Sequence, residues 1–260
     1  MITLGHYSPL SEEEIRGSQK ALILGPSLGS THRAWMRSLS FIGDDIKPVV
    51  FDLPGHGSSA LPETNWSIAD LADSVIALAD SLDIRQFSYA GVSISGAVGF
   101  ELALRHPDRL SSLSILSSAP KLGTADSWQQ RQSQVAESGL GSLVEATLTR
   151  WFTPGFIAKK PEVVNEFRQM FAEVEAQGYI QACRALAEFD VWDRLSDLEI
   201  PTLVVHGSED PVVSWSDCQR ANDLIPDCGL IQISGASHQL IAEAPEVAIK
   251  HVSFYARKFR

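Results

Sequence analysis

Cysteine is scarce in this chain, and the three present, Cys183, Cys218 and Cys228, form neither an even set nor a C-x-x-C pair. An odd count without that spacing argues against a disulfide framework, and with no histidines placed beside the thiols it argues against a zinc site. A reducing cytoplasm is the expected setting, and no metal or other cofactor is expected. Basic residues are also short: 21 Lys and Arg against 32 Asp and Glu leave a net charge of −11. Such a field repels nucleic-acid phosphates and the anionic face of a membrane, so neither is an expected partner. It also mildly repels an anionic small molecule, so a site for one needs its own local cation. No apolar run is long enough to span a bilayer, and the opening Met-Ile-Thr-Leu-Gly-His-Tyr-Ser has no basic segment leading into an apolar one, so export and anchoring are not expected. Repeats, low-complexity tracts, a Walker motif and a linker between independent domains are all missing.

What is present is an ordinary globular composition, 44% hydrophobic and 20% charged over 260 residues, enough for one large core with an insertion. Short apolar runs rich in β-branched residues alternate with stretches of helical periodicity, the pattern of a mostly parallel sheet with helices on both faces. Six strands are legible: Ala21–Leu24, Pro48–Asp52, Phe87–Ala90, Leu110–Leu116, Thr202–His206 and Leu230–Ile233. Ser67 opens an amphipathic helix carrying Leu71, Val75, Leu78 and Leu82, and a second helix runs from Gly96 to His106, where Pro107 stops it. From Lys121 to Leu198 the alternation ceases. Helical patterns at Ser142–Phe152, Pro161–Glu175 and Gly178–Phe189 follow one another, so residues 121–198 are expected to form a helical cap inserted in a core made of 1–120 and 199–260. A site is then expected where cap and sheet edge meet.

The strand ending at Ala90 enters Gly91-Val92-Ser93-Ile94-Ser95-Gly96 and then a helix. A serine among small residues at such a reversal is a nucleophile elbow, which lifts the hydroxyl above the sheet. Ser95 is the competing hydroxyl, but it falls inside the helix, so Ser93 is the candidate nucleophile. A hydroxyl needs a base, and an imidazole base needs a carboxylate to hold its tautomer. Gly207-Ser-Glu-Asp210-Pro places Asp210 beyond one strand, with Glu209 as its competitor, and Gly235-Ala-Ser-His238 places His238 beyond the next. The order Ser, Asp, His is the one this fold uses. The first strand opens into Gly25-Pro-Ser-Leu28-Gly-Ser30, whose Leu28 N–H could serve with the Ile94 N–H as an oxyanion hole. Gly55-His56-Gly57 imitates a dinucleotide fingerprint, but Leu61-Pro62 follows where a helix should open, so it reads as a turn. His32, His56, His106 and His206 have no metal-ligand spacing.

With these residues in place the whole chain resembles the α/β-hydrolase superfamily, and more narrowly the 3-oxoadipate enol-lactonases. The narrower likeness rests on Pro26–Ser30 with Trp35, Ala119–Thr124 with Ser127-Trp128-Gln-Gln-Arg131, Arg150-Trp-Phe-Thr-Pro154 and Gly178–Cys183. Departures from that pattern are Ser95 in place of Gly, Pro26 in place of a polar residue, and Leu53-Pro54 within Asp52–His56. The resemblance implies an α/β-hydrolase fold with the cap inserted after the sixth strand. It also implies hydrolysis of an unsaturated lactone bearing a carboxylate, with a small molecule as partner. An anion requires a cation in the cap, and Arg131, with Trp128 on the same helical face, is the candidate clamp. The triad alone equally suits a carboxylesterase, a haloperoxidase-like hydrolase or an acyltransferase, and a receptor on the same scaffold would bind without turnover. Epoxide hydrolases and haloalkane dehalogenases attack with a carboxylate, and position 93 is serine.

Overall fold

The computed structural model describes residues 2–259. Seven strands form one sheet: β1 His6–Tyr7, β2 Ala21–Gly25, β3 Lys47–Phe51, β4 Phe87–Val92, β5 Leu110–Leu116, β6 Thr202–Gly207 and β7 Cys228–Ile233. Their order is β1-β3-β2-β4-β5-β6-β7, with β1 antiparallel to β3 and every other neighbour parallel. All residues of β2, β4 and β6 are buried, as expected where helices cover both faces and leave no polar alternation.

The crossover from β3 to β4 is the helix Ile68–Ser81. Its start is fixed by reciprocal bonds: Asp70 N–H donates to Ser67 Oγ at 3.1 Å, and Ser67 N–H donates to Asp70 Oδ2 at 2.8 Å. Leu71, Val75 and Leu78 then fall on one buried stripe, each worth roughly 1.5–3 kcal/mol against exposure. The elbow helix Ile94–Arg105 is buried through ten of its residues and ends before Pro107. The last helix, Pro245–Lys258, packs across β4, β5 and β6.

Between β5 and β6 lie five helices, Ala125–Ser138, Val144–Trp151, Pro154–Lys159, Pro161–Ala172 and Ala176–Glu188. This insertion has its own aromatic centre, in which Trp151 meets Phe167 and Phe171 edge-on at 6.0 and 5.8 Å and Phe152 meets Phe167 at 5.1 Å. It follows the fifth strand of the chain, not a sixth as the resemblance implies, because the antiparallel edge ahead of β2 holds a single two-residue strand. The insertion is tied to the sheet at backbone level. Glu175 N–H donates to the Gly55 carbonyl at 3.0 Å, Val191 N–H to Pro120 at 3.0 Å, and Gln239 N–H to Trp151 at 3.0 Å. Among the described residues no helix is long and apolar enough to cross a membrane, and no group of three or more His, Cys, Asp or Glu could hold a metal ion.

Candidate active site

Ser93 stands between β4 and the elbow helix with φ 57° and ψ −118°. The turn is tight enough that a Cβ on Gly91 would meet the Ser95 carbonyl. Its backbone is held on both sides: Ser93 N–H donates to Leu116 at 2.9 Å, and the Ser93 carbonyl accepts from Gly96 N–H at 2.8 Å and from Ser118 Oγ at 2.7 Å. Ser95 does not compete for the nucleophile's place. It is fully buried, and its hydroxyl donates to the Pro26 carbonyl at 2.6 Å, tying the elbow to the loop after β2.

His238, 2% exposed, lies in the loop beyond β7, and its Nδ1 meets Asp210 Oδ2 at 2.9 Å and Oδ1 at 3.2 Å. Asp210 follows β6, and Oδ1 also accepts from Val212 N–H at 2.8 Å. Burial alone would raise the carboxyl pKa. The His238 charge and hydrogen bond, with the amides of Val212 and Val213, outweigh burial and hold it below the ordinary aspartate value. Glu209 is exposed and makes no bond to His238. Glu243 braces the same loop: it accepts from Ser237 N–H, and from Thr153 N–H and Oγ1 at 2.8 Å each. Burial, with a contribution from the Asp210 charge, raises its pKa.

The loop after β2 is held by three side chains besides its own turn. Gly29 N–H donates to His56 Nε2 at 3.1 Å, and His56 Nδ1–H donates to the Pro54 carbonyl at 2.9 Å. Burial pushes His56 down to about 4, so the ring stays neutral and Nε2 remains an acceptor. Gln239, next to His238, donates to Ser27 Oγ at 2.5 Å, and Ser95 holds Pro26. Neither Leu28 N–H nor Ile94 N–H has a hydrogen-bond partner among the described residues. They are the two donors that the oxyanion reading requires.

Ser93, His238 and Leu28 face one cavity of about 440 Å³ between the sheet edge and the insertion. Trp128, Arg131 and Arg150 line its far wall together with Thr147 and Tyr179, while Leu122, Leu143, Trp151 and Val212 supply apolar surface. Arg131 Nε donates to Tyr179 Oη and Nη2 to Thr147 Oγ1, both at 2.7 Å. The Trp128 indole N–H donates to the Leu122 carbonyl at 2.5 Å, so Trp128 offers a wall and not a polar contact. No acidic side chain lines this cavity. A more open groove of about 530 Å³, on the outer face of the helix Ala125–Ser138, contains none of the site residues.

The structure therefore joins Asp210 to His238 by hydrogen bonds and sets Ser93, Leu28, Trp128 and Arg131 around the cavity into which His238 opens. It does not join Ser93 Oγ to His238 by a hydrogen bond, a contact that in unliganded hydrolases tightens when substrate is bound. Ile94 is wholly buried beneath the elbow, its backbone being the part the role needs. Sequence reasoning missed Arg150, His56, Gln239 and Glu243 as parts of the site. His56 had a local signal, its place in a glycine-flanked turn. The others act across distances in sequence that no local pattern reports.

A family model described as the alpha/beta hydrolase fold matches residues 20–245. The chain is 35% identical over 244 residues to "3-oxoadipate enol-lactonase 2" of Acinetobacter baylyi, covering 94% of this chain and 91% of that one. It is 33% identical to "3-oxoadipate enol-lactonase 1" of the same organism, covering 100% and 97%. Among solved structures, the enol-lactonase from Burkholderia xenovorans LB400 superposes with a TM-score of 0.92 at 25% identity, over 98% of this chain and 96% of that one. The chain belongs to the α/β-hydrolase fold family and is a hydrolase.

Proposed function

We propose that this chain hydrolyses 3-oxoadipate enol-lactone to 3-oxoadipate through a serine acyl-enzyme. The observation that carries the reading is the charge of the cavity. Ser93 and His238 share it with Arg131 and Arg150 and with no acidic side chain, in a chain of net charge −11. A cationic wall opposite a nucleophile selects an ester or lactone that carries an anion. The likeness to enol-lactonases along the full chain supports the same substrate.

Ser93 Oγ bonds to the lactone carbonyl carbon as His238 takes its proton, and Asp210 holds the imidazole and stabilises its charged form. The N–H groups of Leu28 and Ile94 receive the oxyanion. When the ring C–O bond breaks, His238 returns the proton to the leaving enol oxygen, and the enol ketonises. A water deprotonated by His238 then attacks the acyl carbon, the bond to Oγ breaks, and Ser93 regains its proton. Arg131 holds the substrate carboxylate throughout, and Trp128 forms the wall beside it. In this reading residues 121–198 are the cap, residues 1–120 and 199–260 are the catalytic core, and the unpaired cysteines suit a reducing cytoplasm.

The test is a progress curve on the enol-lactone beside a short nitrophenyl ester, for wild type and Ser93→Ala, with mass spectrometry for an acyl adduct on Ser93. Turnover of the lactone with an adduct on Ser93 is expected. Activity on the ester alone would sink the lactonase reading in favour of a carboxylesterase. Lactone binding without turnover, and no fluorophosphonate labelling of Ser93, would replace it with a receptor.

A further inference from the structure

The loop after β2 is tied at three points to three different parts of the molecule. The Pro26 carbonyl accepts from Ser95 of the elbow helix, Ser27 Oγ accepts from Gln239 Nε2 in the His238 loop, and Gly29 N–H donates to His56. Of these, only the Ser27–Gln239 bond joins a residue next to Leu28, the proposed oxyanion donor, to a residue next to His238. Its direction follows from counting protons. Ser30 Oγ donates to the Ser27 carbonyl at 2.9 Å, so the Ser27 hydroxyl is the donor in its 3.0 Å contact with Ser30 Oγ. With its one proton committed, Ser27 Oγ can only accept, and Gln239 must present Nε2 to it. Gln239 is wholly buried, and its Oε1 is left with no hydrogen-bond partner among the described residues.

The fold does not need that amide. The Gln239 backbone is fixed without it: its N–H donates to the Trp151 carbonyl at 3.0 Å, and its carbonyl accepts from Ala242 N–H at 2.8 Å and Glu243 N–H at 3.1 Å at the start of the helix Leu240–Glu243. Ser27 keeps Ser30 as its partner if the amide is removed. A buried carboxamide whose oxygen is unpaired is less favourable than an apolar side chain of the same shape, since the oxygen gave up its hydration for nothing. What the amide supplies is a fixed span between two loops that no backbone hydrogen bond joins among the described residues. In acylation the imidazole takes a proton while the carbonyl oxygen gains charge, so the base and the Leu28 N–H have to keep their spacing as the reaction proceeds.

We propose that Gln239 is a positioning residue whose side-chain amide sets the spacing between His238 and the Leu28 N–H, so that its loss lowers turnover and neither folding nor substrate binding. The role rests on the serine-hydrolase reading above, but on no particular substrate. Gln239→Met, Ser27→Ala and the double variant are compared with wild type in thermal melts and, at a temperature where all four are folded, in kcat and KM on the enol-lactone and on a short nitrophenyl ester. Gln239→Met is expected to melt no lower than wild type, yet to lose about tenfold or more in kcat with KM within about twofold. Ser27→Ala strands the amide and melts lower by about 2 °C or more, and adding Gln239→Met restores the melt. The two kcat losses do not add, because either substitution breaks the same bond. Wild-type kcat or a lower melt in Gln239→Met, a loss carried by KM, or kcat losses that add in the double variant overturns the role. If wild type turns over the ester and not the lactone, the same comparison on the ester decides the role while the lactonase reading falls. If wild type turns over neither and a fluorophosphonate does not label Ser93, the hydrolytic reading falls and the role with it.

Discussion

On the sheet side of the cavity Asp210 meets His238 at 2.9 Å, His56 accepts from Gly29 at 3.1 Å, and Ser95 reaches Pro26 at 2.6 Å. On the insertion side the Arg150 guanidinium makes no hydrogen bond among the described residues, and Arg131 uses two of the five N–H donors a guanidinium carries. The sheet wall has spent its side-chain hydrogen bonds on fixing its own geometry and leaves the backbone N–H groups of Leu28 and Ile94 unpartnered; the insertion wall keeps side-chain donors open for a ligand. Reaction chemistry needs groups that do not reorganise when charge develops, and recognition needs groups whose best partner arrives with the substrate. In the proposed function the division also separates what should be generic, the proposed triad and oxyanion loop, from what should be particular to the proposed substrate.

That separation can be broken from either side. The largest effect is expected from Asp210→Asn, which keeps the shape of the pair but leaves His238 in the wrong tautomer. A loss of about 10⁴ in kcat, the size seen for such a change in the serine-protease template, should appear on lactone and neutral ester alike. A loss confined to the lactone would merge the two walls into one. Next, Arg131→Met should lower kcat/KM on the carboxylated lactone by about 100-fold, as for loss of a charged hydrogen bond, and on a neutral nitrophenyl ester far less. Equal losses on both substrates would mean that Arg131 supports the machinery and does not select the substrate. Ser95→Ala leaves the buried Pro26 carbonyl without its donor. It should remove about 1 kcal/mol of stability in a denaturant titration and lower kcat about tenfold with little change in KM. A fall in KM-controlled binding alone would detach Ser95 from the oxyanion loop.

The smallest effect is a slope. His56 has its folded pKa depressed from 6.5 to about 4, so in that window the unfolded chain binds more protons than the folded one. Its contribution is complete above the unfolded value and is lost as pH falls toward the folded one. Wild-type melting temperature should therefore fall across that range more steeply than that of His56→Gln. Parallel curves would show that His56 is not the buried neutral acceptor on which the Gly29 contact depends.

How much of this was legible in the sequence follows from how local each cause is. The strands β2 to β7 were placed to within two residues: β2, β4 and β6 are buried throughout and carry little polar alternation, while β7 is a half-buried edge marked by its β-branched residues. β1 escaped notice, since two residues carry no period. The helix Ala125–Ser138 buries only Val135, so it has no apolar stripe to announce it, although Trp128 and Arg131 were rightly placed on a helical face of it. Ser93, Asp210 and His238 could be proposed together from sequence because each follows a strand end, and parallel strands bring their C-terminal ends to one edge. Arg150 was visible only as part of a family motif. Its position beside Arg131 is created by packing two helices of the insertion, which no spacing in the sequence encodes.

The backbone of Ser93 carries a last consequence. A residue with a Cβ at φ 57° and ψ −118° occupies a conformation costing on the order of 1–3 kcal/mol, and the surrounding fold imposes it. In the proposed mechanism the strained residue is the nucleophile, so a glycine at position 93 would release that cost and the reactivity together. On that reading stability and activity are opposed at a single residue, and selection for stability alone would erode the elbow.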